Sequence, residues 1–172
     1  MKEKDFLQLA ADRYSVRSYD SKPVDQATIE KILKAGHLAP TARNCQPQVI
    51  YVVKSEEMLK KLDEVSPCVF GAPQCFVVCY DTEKVARRGP RGDYGEIDAS
   101  IVLTHMMLEA ADLGIGTCAV GRFDYDRLCE VMGLPGNIRP VLMIPFGYPS
   151  ADAKPLGMHT TYRDPEEIVK YL

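Results

Sequence analysis

The sequence predicts a single domain of mixed helix and strand, and three observations carry that expectation. At 172 residues the chain is close to the roughly 150 residues of one ordinary domain, and a domain of this size buries enough surface to fold without a disulfide or metal staple. Its composition, 46% hydrophobic and 26% charged, is that of a soluble globular protein. Apolar residues recur with helical period in some stretches and with strand period in others, in alternation, with no repeat or low-complexity tract. A formal charge of −3 argues against a general nucleic-acid binder. No apolar run reaches the roughly 18 residues of a membrane span, and Met1-Lys2-Glu3-Lys4-Asp5 leads into a polar helix rather than a signal peptide. A cytoplasmic protein is expected.

Each element has its own signal. Residues 5–12 read as a helix with Phe6, Leu9 and Ala10 facing inward. Asp25 caps a second helix in which Ile29, Ile32, Leu33 and Gly36 follow the i, i+3, i+4, i+7 rule, and Pro40 stops it. Residues 48–54 and 75–80 read as strands, and between them Ser55 caps a helix carrying Met58, Leu59 and Leu62. The longest helix is expected over 94–113, with Gly114 as its left-handed cap. Its apolar residues cover nearly the whole circumference, so it must be buried on most sides, with a subunit interface as a natural wall for one flank. A short strand over 117–120, a helix capped by Asp124 and ended by Gly133, and a strand over 140–147 follow. Residues 1–150 are read as the domain and 151–172 as a polar tail packing on it or on a partner subunit. Within the tail, Asp164-Pro165-Glu166-Glu167 signals a helix start.

The six cysteines do not form a framework. No Cys-x-x-Cys pair exists, and Cys75 and Cys79, on one face of a strand, would stand about 13 Å apart at ~3.3 Å per residue, beyond disulfide reach. They read as small buried hydrophobes. The chain has no P-loop, no His-Glu-x-x-His and no nucleophile elbow. Gly114-Ile115-Gly116 follows a helix, whereas a dinucleotide fingerprint follows a strand, so a Rossmann site is rejected. His37 and His105 read as packing residues within helices, and no metal site is expected.

Two polar segments carry more chemistry. In Arg13-Tyr14-Ser15-Val16-Arg17 an extended backbone would put Arg13, Ser15 and Arg17 on one side, where two guanidiniums and a hydroxyl can converge on a phosphate. The bland alternative is a charged loop pairing with surface carboxylates. Pro40-Thr41-Ala42-Arg43-Asn44-Cys45-Gln46-Pro47, between helix and strand, suits either a capped turn or a loop laid against a flat polar ligand. The loop Arg87-Arg88-Gly89-Pro90-Arg91-Gly92 reads as a solvated mobile loop or as a basic lid over an anion.

Together these segments resemble a family. Arg13-Tyr14-Ser15-Val16-Arg17-Ser18-Tyr19 resembles the Arg-x-Ser-x-Arg-x-aromatic opening of the nitroreductase family of flavoenzymes. Ala39-Pro40-Thr41-Ala42-Arg43-Asn44-Cys45-Gln46-Pro47 is similar to its Ala-Pro-Ser-x-x-Asn-x-Gln-Pro motif. Residues 98–121 resemble its long helix and following glycine-bearing strand, and residues 141–149 its closing strand and Gly-Tyr-Pro turn. The resemblance implies an α+β fold with a mixed, mainly antiparallel sheet flanked by helices, a homodimer, and FMN at the dimer interface. By the same resemblance, Arg13, Tyr14, Ser15 and Arg17 would hold the FMN phosphate and the pyrimidine edge of the ring. Pro40, Thr41, Ala42 and Asn44 would reach the flavin from the partner subunit, and Val120, Gly121 and Arg122 would meet its N5 and O4 side. Lys154 would be a further phosphate ligand. The chain departs from the pattern at Gln48, where an aromatic is common, at Arg122, where a small residue is common, and in its sparsely basic tail.

The activity implied is transfer of a hydride from NAD(P)H through FMN to a nitroaromatic, a quinone or another flat small-molecule acceptor, by a ping-pong mechanism. The flavin would supply the reactive group, so no catalytic side chain is assigned. Two other readings stand beside it: the same cofactor pocket used for dehalogenation or enone reduction, and a flavin-free, thiol-dependent binding protein with Cys45 as the reactive group.

Overall fold

A computed structural model describes residues 5–172; the expectation placed on Met1-Lys2-Glu3-Lys4 lies outside the described residues. Ten helices and strands follow in chain order. They are α1 (Phe6–Asp12), α2 (Gln26–Leu38), β1 (Gln48–Val53), α3 (Glu56–Val65), β2 (Gln74–Asp81), α4 (Gly95–Asp112), β3 (Gly116–Thr117), α5 (Tyr125–Met132), β4 (Ile138–Gly147) and α6 (Pro165–Ile168). The four strands form one sheet in the order β1-β2-β4-β3, with every named pair antiparallel. A parallel bridge from Ser15 to Thr117 adds a short extended segment beside β3, which makes the sheet mixed. This is the α+β architecture expected.

The sheet is covered on both faces, and β2 shows why its sequence is almost continuously apolar. Phe76 and Val78 point into a core with Ile29 and Ile32 of α2, Val102 and Met106 of α4, and Ile144 and Phe146 of β4. Cys75, Val77 and Cys79 point the other way, toward Leu62 of α3, Leu128 of α5 and Met143. Burial pushes the Cys75 and Cys79 thiols up to about 12, so both remain neutral packing groups, and all six cysteines are free thiols. α2 and α4 approach closely at Gly36, where a Cβ would lie 2.8 Å from Met106 Cγ.

Caps fall where the sequence places them. Asp25, Ser55 and Asp124 accept the amides of Thr28, Met58 and Arg127, and Gly133 takes the left-handed cap of α5. The capping carboxylate of Asp164 accepts the Glu166 amide, but Glu167 turns to Arg163 rather than back to the cap. Pro140 and Pro145 both sit within β4, Pro140 beside a bulge opposite Val78 and Cys79.

Three expectations are corrected. Phe6, Leu9 and Ala10 do not form an inward face, because α1 buries no residue and Phe6 is 65% exposed. His37 is exposed at the end of α2 rather than packed, whereas the His105 ring bonds the Ile101 carbonyl. The tail is not uniformly polar at its surface: Leu156, Met158, Tyr162, Ile168 and Tyr171 all stand exposed. Within one chain, neither α1 nor the tail has enough neighbouring surface to cover these side chains.

Candidate functional site

The segment that follows α1 is stitched to the sheet along its length. The Val16 amide donates to the Thr117 carbonyl at 2.9 Å, and the Asp20 amide donates to the Tyr148 carbonyl at 2.8 Å. The Tyr19 hydroxyl lies 2.8 Å from the Val16 carbonyl and 3.0 Å from that of Pro145. Burial raises its pKa far above the phenol range, so it stays a donor. Val16 is the buried face of the segment, and β3 can lie against it only because residue 116 is glycine: a Cβ there would meet Val16 side-chain atoms at 2.7–2.9 Å.

With Val16 inward, Arg13, Tyr14, Ser15 and Arg17 are left to line a cleft of about 180 Å³, closed on the far side by Leu156, Met158 and His159. Neither arginine has a carboxylate partner among the described residues, so the solvated ion-pair alternative does not describe them. Arg17 Nη1 donates to the Ser15 carbonyl at 3.1 Å, and its guanidinium lies 6.0 Å from the centre of the Phe70 ring. Two guanidiniums without a countercharge, converging with a hydroxyl, form a donor set suited to a phosphate. A phosphate-bearing flavin therefore fits the chemistry of these residues.

Beyond β3 the chain is tied to β4 by an isolated bridge at Val120. The backbone of Val120 exchanges both hydrogen bonds with Met143, at 2.8 and 3.0 Å, which leaves it no free amide for a ligand. Gly121 and Arg122 are exposed beyond it, and the Arg122 carbonyl is held by the Ser66 hydroxyl at 2.6 Å. Of the three residues singled out here, Gly121 and Arg122 can offer backbone groups to a ligand, while Val120 fixes where they stand.

The second polar segment is built differently. Pro40 and Thr41 lead into a short 3₁₀ turn, Ala42–Asn44. Arg43, Asn44 and Gln46 all have left-handed backbones, with φ of 54°, 54° and 48°. Asparagine tolerates that region, but each non-glycine residue there costs about 1–2 kcal/mol. Anchors hold the shape: the Ala42 amide donates to Asp98 Oδ1 at 2.9 Å, and the Gln46 amide donates to the Thr41 hydroxyl at 3.0 Å. Cys45 is half-buried beside the turn.

The arginine cleft and this loop do not meet within one chain. Ala42 is bonded to Asp98 in the first turn of α4, while Arg13 and Tyr14 line the surface beside Ala111 and Gly114 at its other end. The helical rise puts those ends about 20 Å apart. Along one flank of α4, between them, Ile97, Ser100, Ile101, Thr104 and His105 line an open groove of about 510 Å³.

Several residues of this neighbourhood escape motif reading. His159 comes from the tail, its ring held 3.0 Å from the Ala11 carbonyl and edge-on to Tyr14, whereas Lys154 is exposed and outside the cleft lining. Phe70, with φ of 57°, reaches Arg17 from the connection between α3 and β2. Asp98 carries a signal that could have found it, an acid on the same buried stripe of α4 as Val102 and Met106. The Arg87–Gly92 stretch is a tight turn closed by an Arg88–Gly92 backbone bond, with Arg88 over the Tyr94 ring.

Comparison with known proteins finds a family model, relatives and solved structures that match most of the chain. The sequence model of the Nitroreductase family matches residues 10–69 and 66–148. A protein of Archaeoglobus fulgidus, provisionally named NADH dehydrogenase/NAD(P)H nitroreductase, is 36% identical over 152 residues, covering 83% of this chain and 84% of its own. The FMN reductase [NAD(P)H] of Bacillus subtilis is 27% identical, over 94% of this chain and 76% of its own. A crystal structure of a nitroreductase family protein from Clostridium difficile superposes with a TM-score of 0.91 at 36% identity, covering 98% of each chain.

Proposed function

The chain belongs to the nitroreductase family, and from that premise we propose that it is an FMN-dependent oxidoreductase that takes electrons from NAD(P)H and passes them to a flat acceptor such as a nitroaromatic or a quinone. The observation that supports this most is the pair Arg13 and Arg17, without a carboxylate partner among the described residues, with Ser15 at one cleft, a donor set for the FMN phosphate. FMN, when bound, supplies the two-electron chemistry. The protein's part is to hold and bias it. Arg13, Tyr14, Ser15 and Arg17 bind the phosphate and the pyrimidine edge, and a guanidinium at that edge favours a ring carrying extra negative charge. Gly121 and Arg122 orient the ring through backbone groups. Donor and acceptor use the same open face in turn, so ping-pong kinetics are expected.

The site is completed by a second copy. Pro40, Thr41, Ala42 and Asn44 serve it from the partner, since within one chain their loop sits about 20 Å along α4 from the arginine cleft. The groove on α4, the exposed Phe6 and Leu7, and the apolar side chains of residues 151–172 are the surfaces such a dimer would cover. Lys154, outside the cleft in one chain, would reach a phosphate only after the tail is repositioned in the pair. Cys45 has no catalytic part.

A visible spectrum of purified protein incubated with FMN tests the cofactor, and bleaching by NADH or NADPH under anaerobic conditions tests the donor. A colourless protein that gains no flavin absorbance refutes the reading. Light scattering should give twice the 19.2 kDa chain mass; a monomer that retains FMN refutes the two-copy site. No described helix is long and apolar enough to cross a membrane.

A further inference from the structure

Asp98 is an acid where the fold otherwise places apolar side chains. It is 1% exposed, on the face of α4 that packs toward α2 and the sheet, among Ala99, Val102 and Met106. No cation pairs with it among the described residues. One carboxylate oxygen accepts the Ala42 amide at 2.9 Å; the other has no hydrogen-bond partner among the described residues. A carboxylate buried without a countercharge is a poor device for stability. The first turn of α4 offsets part of that cost, because the positive end of a helix favours an acid there. What the acid gives in return is a charge-assisted bond to one backbone amide, stronger than a neutral acceptor would make.

That amide opens the most strained stretch among the described residues. Arg43, Asn44 and Gln46 follow Ala42 in left-handed geometry, and Asn44 and Cys45 bond back to Thr41 and Ala42. Release of Ala42 would free the turn to relax toward ordinary backbone angles. We propose that Asp98 is a positioning residue for the flavin site: its carboxylate, by fixing the Ala42 amide, holds residues 41–46 in the shape they present to the cofactor. The proposal rests on the reading of that loop as a flavin contact. Asp98 acts through the loop backbone and takes no part in the chemistry.

Two variants and two readouts test it on the full-length protein. D98A removes the acceptor. D98N keeps an oxygen for Ala42 and sets its amide nitrogen where the second oxygen has no partner, so it preserves the anchor at reduced strength. Without FMN, hydrogen–deuterium exchange of the Ala42–Gln46 amides should rise about tenfold or more in D98A and about threefold in D98N, with β2 amides unchanged. By fluorescence titration, FMN affinity should fall at least tenfold in D98A and stay within threefold of the parent in D98N. Parental exchange at Ala42 in D98A overturns the proposal, as does faster exchange with unaltered FMN affinity. Equal affinity loss in both variants also overturns it, because the conservative change would then not rescue. Should D98A fail to fold, D98N decides alone, and parental exchange at Ala42 overturns the proposal. If the parent protein binds no FMN, the flavin reading falls by itself, while exchange still shows whether Asp98 sets the loop.

Discussion

The two polar segments proposed to meet one flavin are held by opposite means. Residues 13–19 are extended, unstrained and fastened at many points: a bridge to Thr117, the Tyr19 hydroxyl, a Ser18–Ser150 hydroxyl pair and a buried Val16. Residues 41–46 are strained and fastened at few points, chiefly Asp98 and the Thr41 hydroxyl. The first borrows its order from the sheet, and its ligand-facing side chains can be changed without disturbing it. The second owes its order to individual side chains, so the proposed ligand binding there would depend on groups that do not touch the ligand. Distributed anchoring makes a robust platform, and point anchoring makes an adjustable one.

The largest expected effect is at the ligand face of the robust segment. The R13A/R17A double variant should lower FMN affinity about 100-fold or more, since charge-assisted hydrogen bonds contribute roughly 1.5–3 kcal/mol each, and should leave melting nearly unchanged. A loss below tenfold by fluorescence titration would remove the phosphate from this cleft. Next is the packing beneath the same segment. G116A drives a methyl into Val16 and should cost about 1–3 kcal/mol, a fall in Tm of roughly 2–12 °C. Adding V16A should restore most of it, and an additive double variant would break the account of how the segment is seated.

T41V probes the weakly anchored loop. Loss of the acceptor for the Gln46 amide, about 1 kcal/mol, should weaken FMN binding about fivefold with little change in Tm; a large Tm loss with intact affinity would reverse the contrast between the segments. The smallest effect is expected from C45S, which should keep NAD(P)H-dependent turnover within about twofold. Abolished turnover in that variant would make Cys45 the reactive group and displace the flavin mechanism.

The helices and strands were legible because their signals are local. The Asp25, Ser55 and Asp124 caps, Gly133, and the apolar run of β2 each identify an element from neighbours within a few residues. The arginine segment was legible for the same reason, since alternation along an extended backbone puts Arg13, Ser15 and Arg17 on one side without knowledge of the fold. The inward face assigned to α1 was not reliable, because whether Phe6 is covered depends on surface supplied from elsewhere.

By itself, the sequence determined which segments are helix or strand, that Cys75 and Cys79 could not bridge, and which two motif-bearing loops are proposed to carry the chemistry. Tertiary structure decided what those loops are attached to. It brought His159 rather than Lys154 to the arginine cleft, ran Phe70 against Arg17, spent the backbone of Val120 on Met143, and set Ala42 on Asp98, at the end of α4 opposite the one beside Arg13. These are contacts between residues far apart in the chain. Their energies depend on how whole elements pack against one another, and no window of neighbouring residues contains that information.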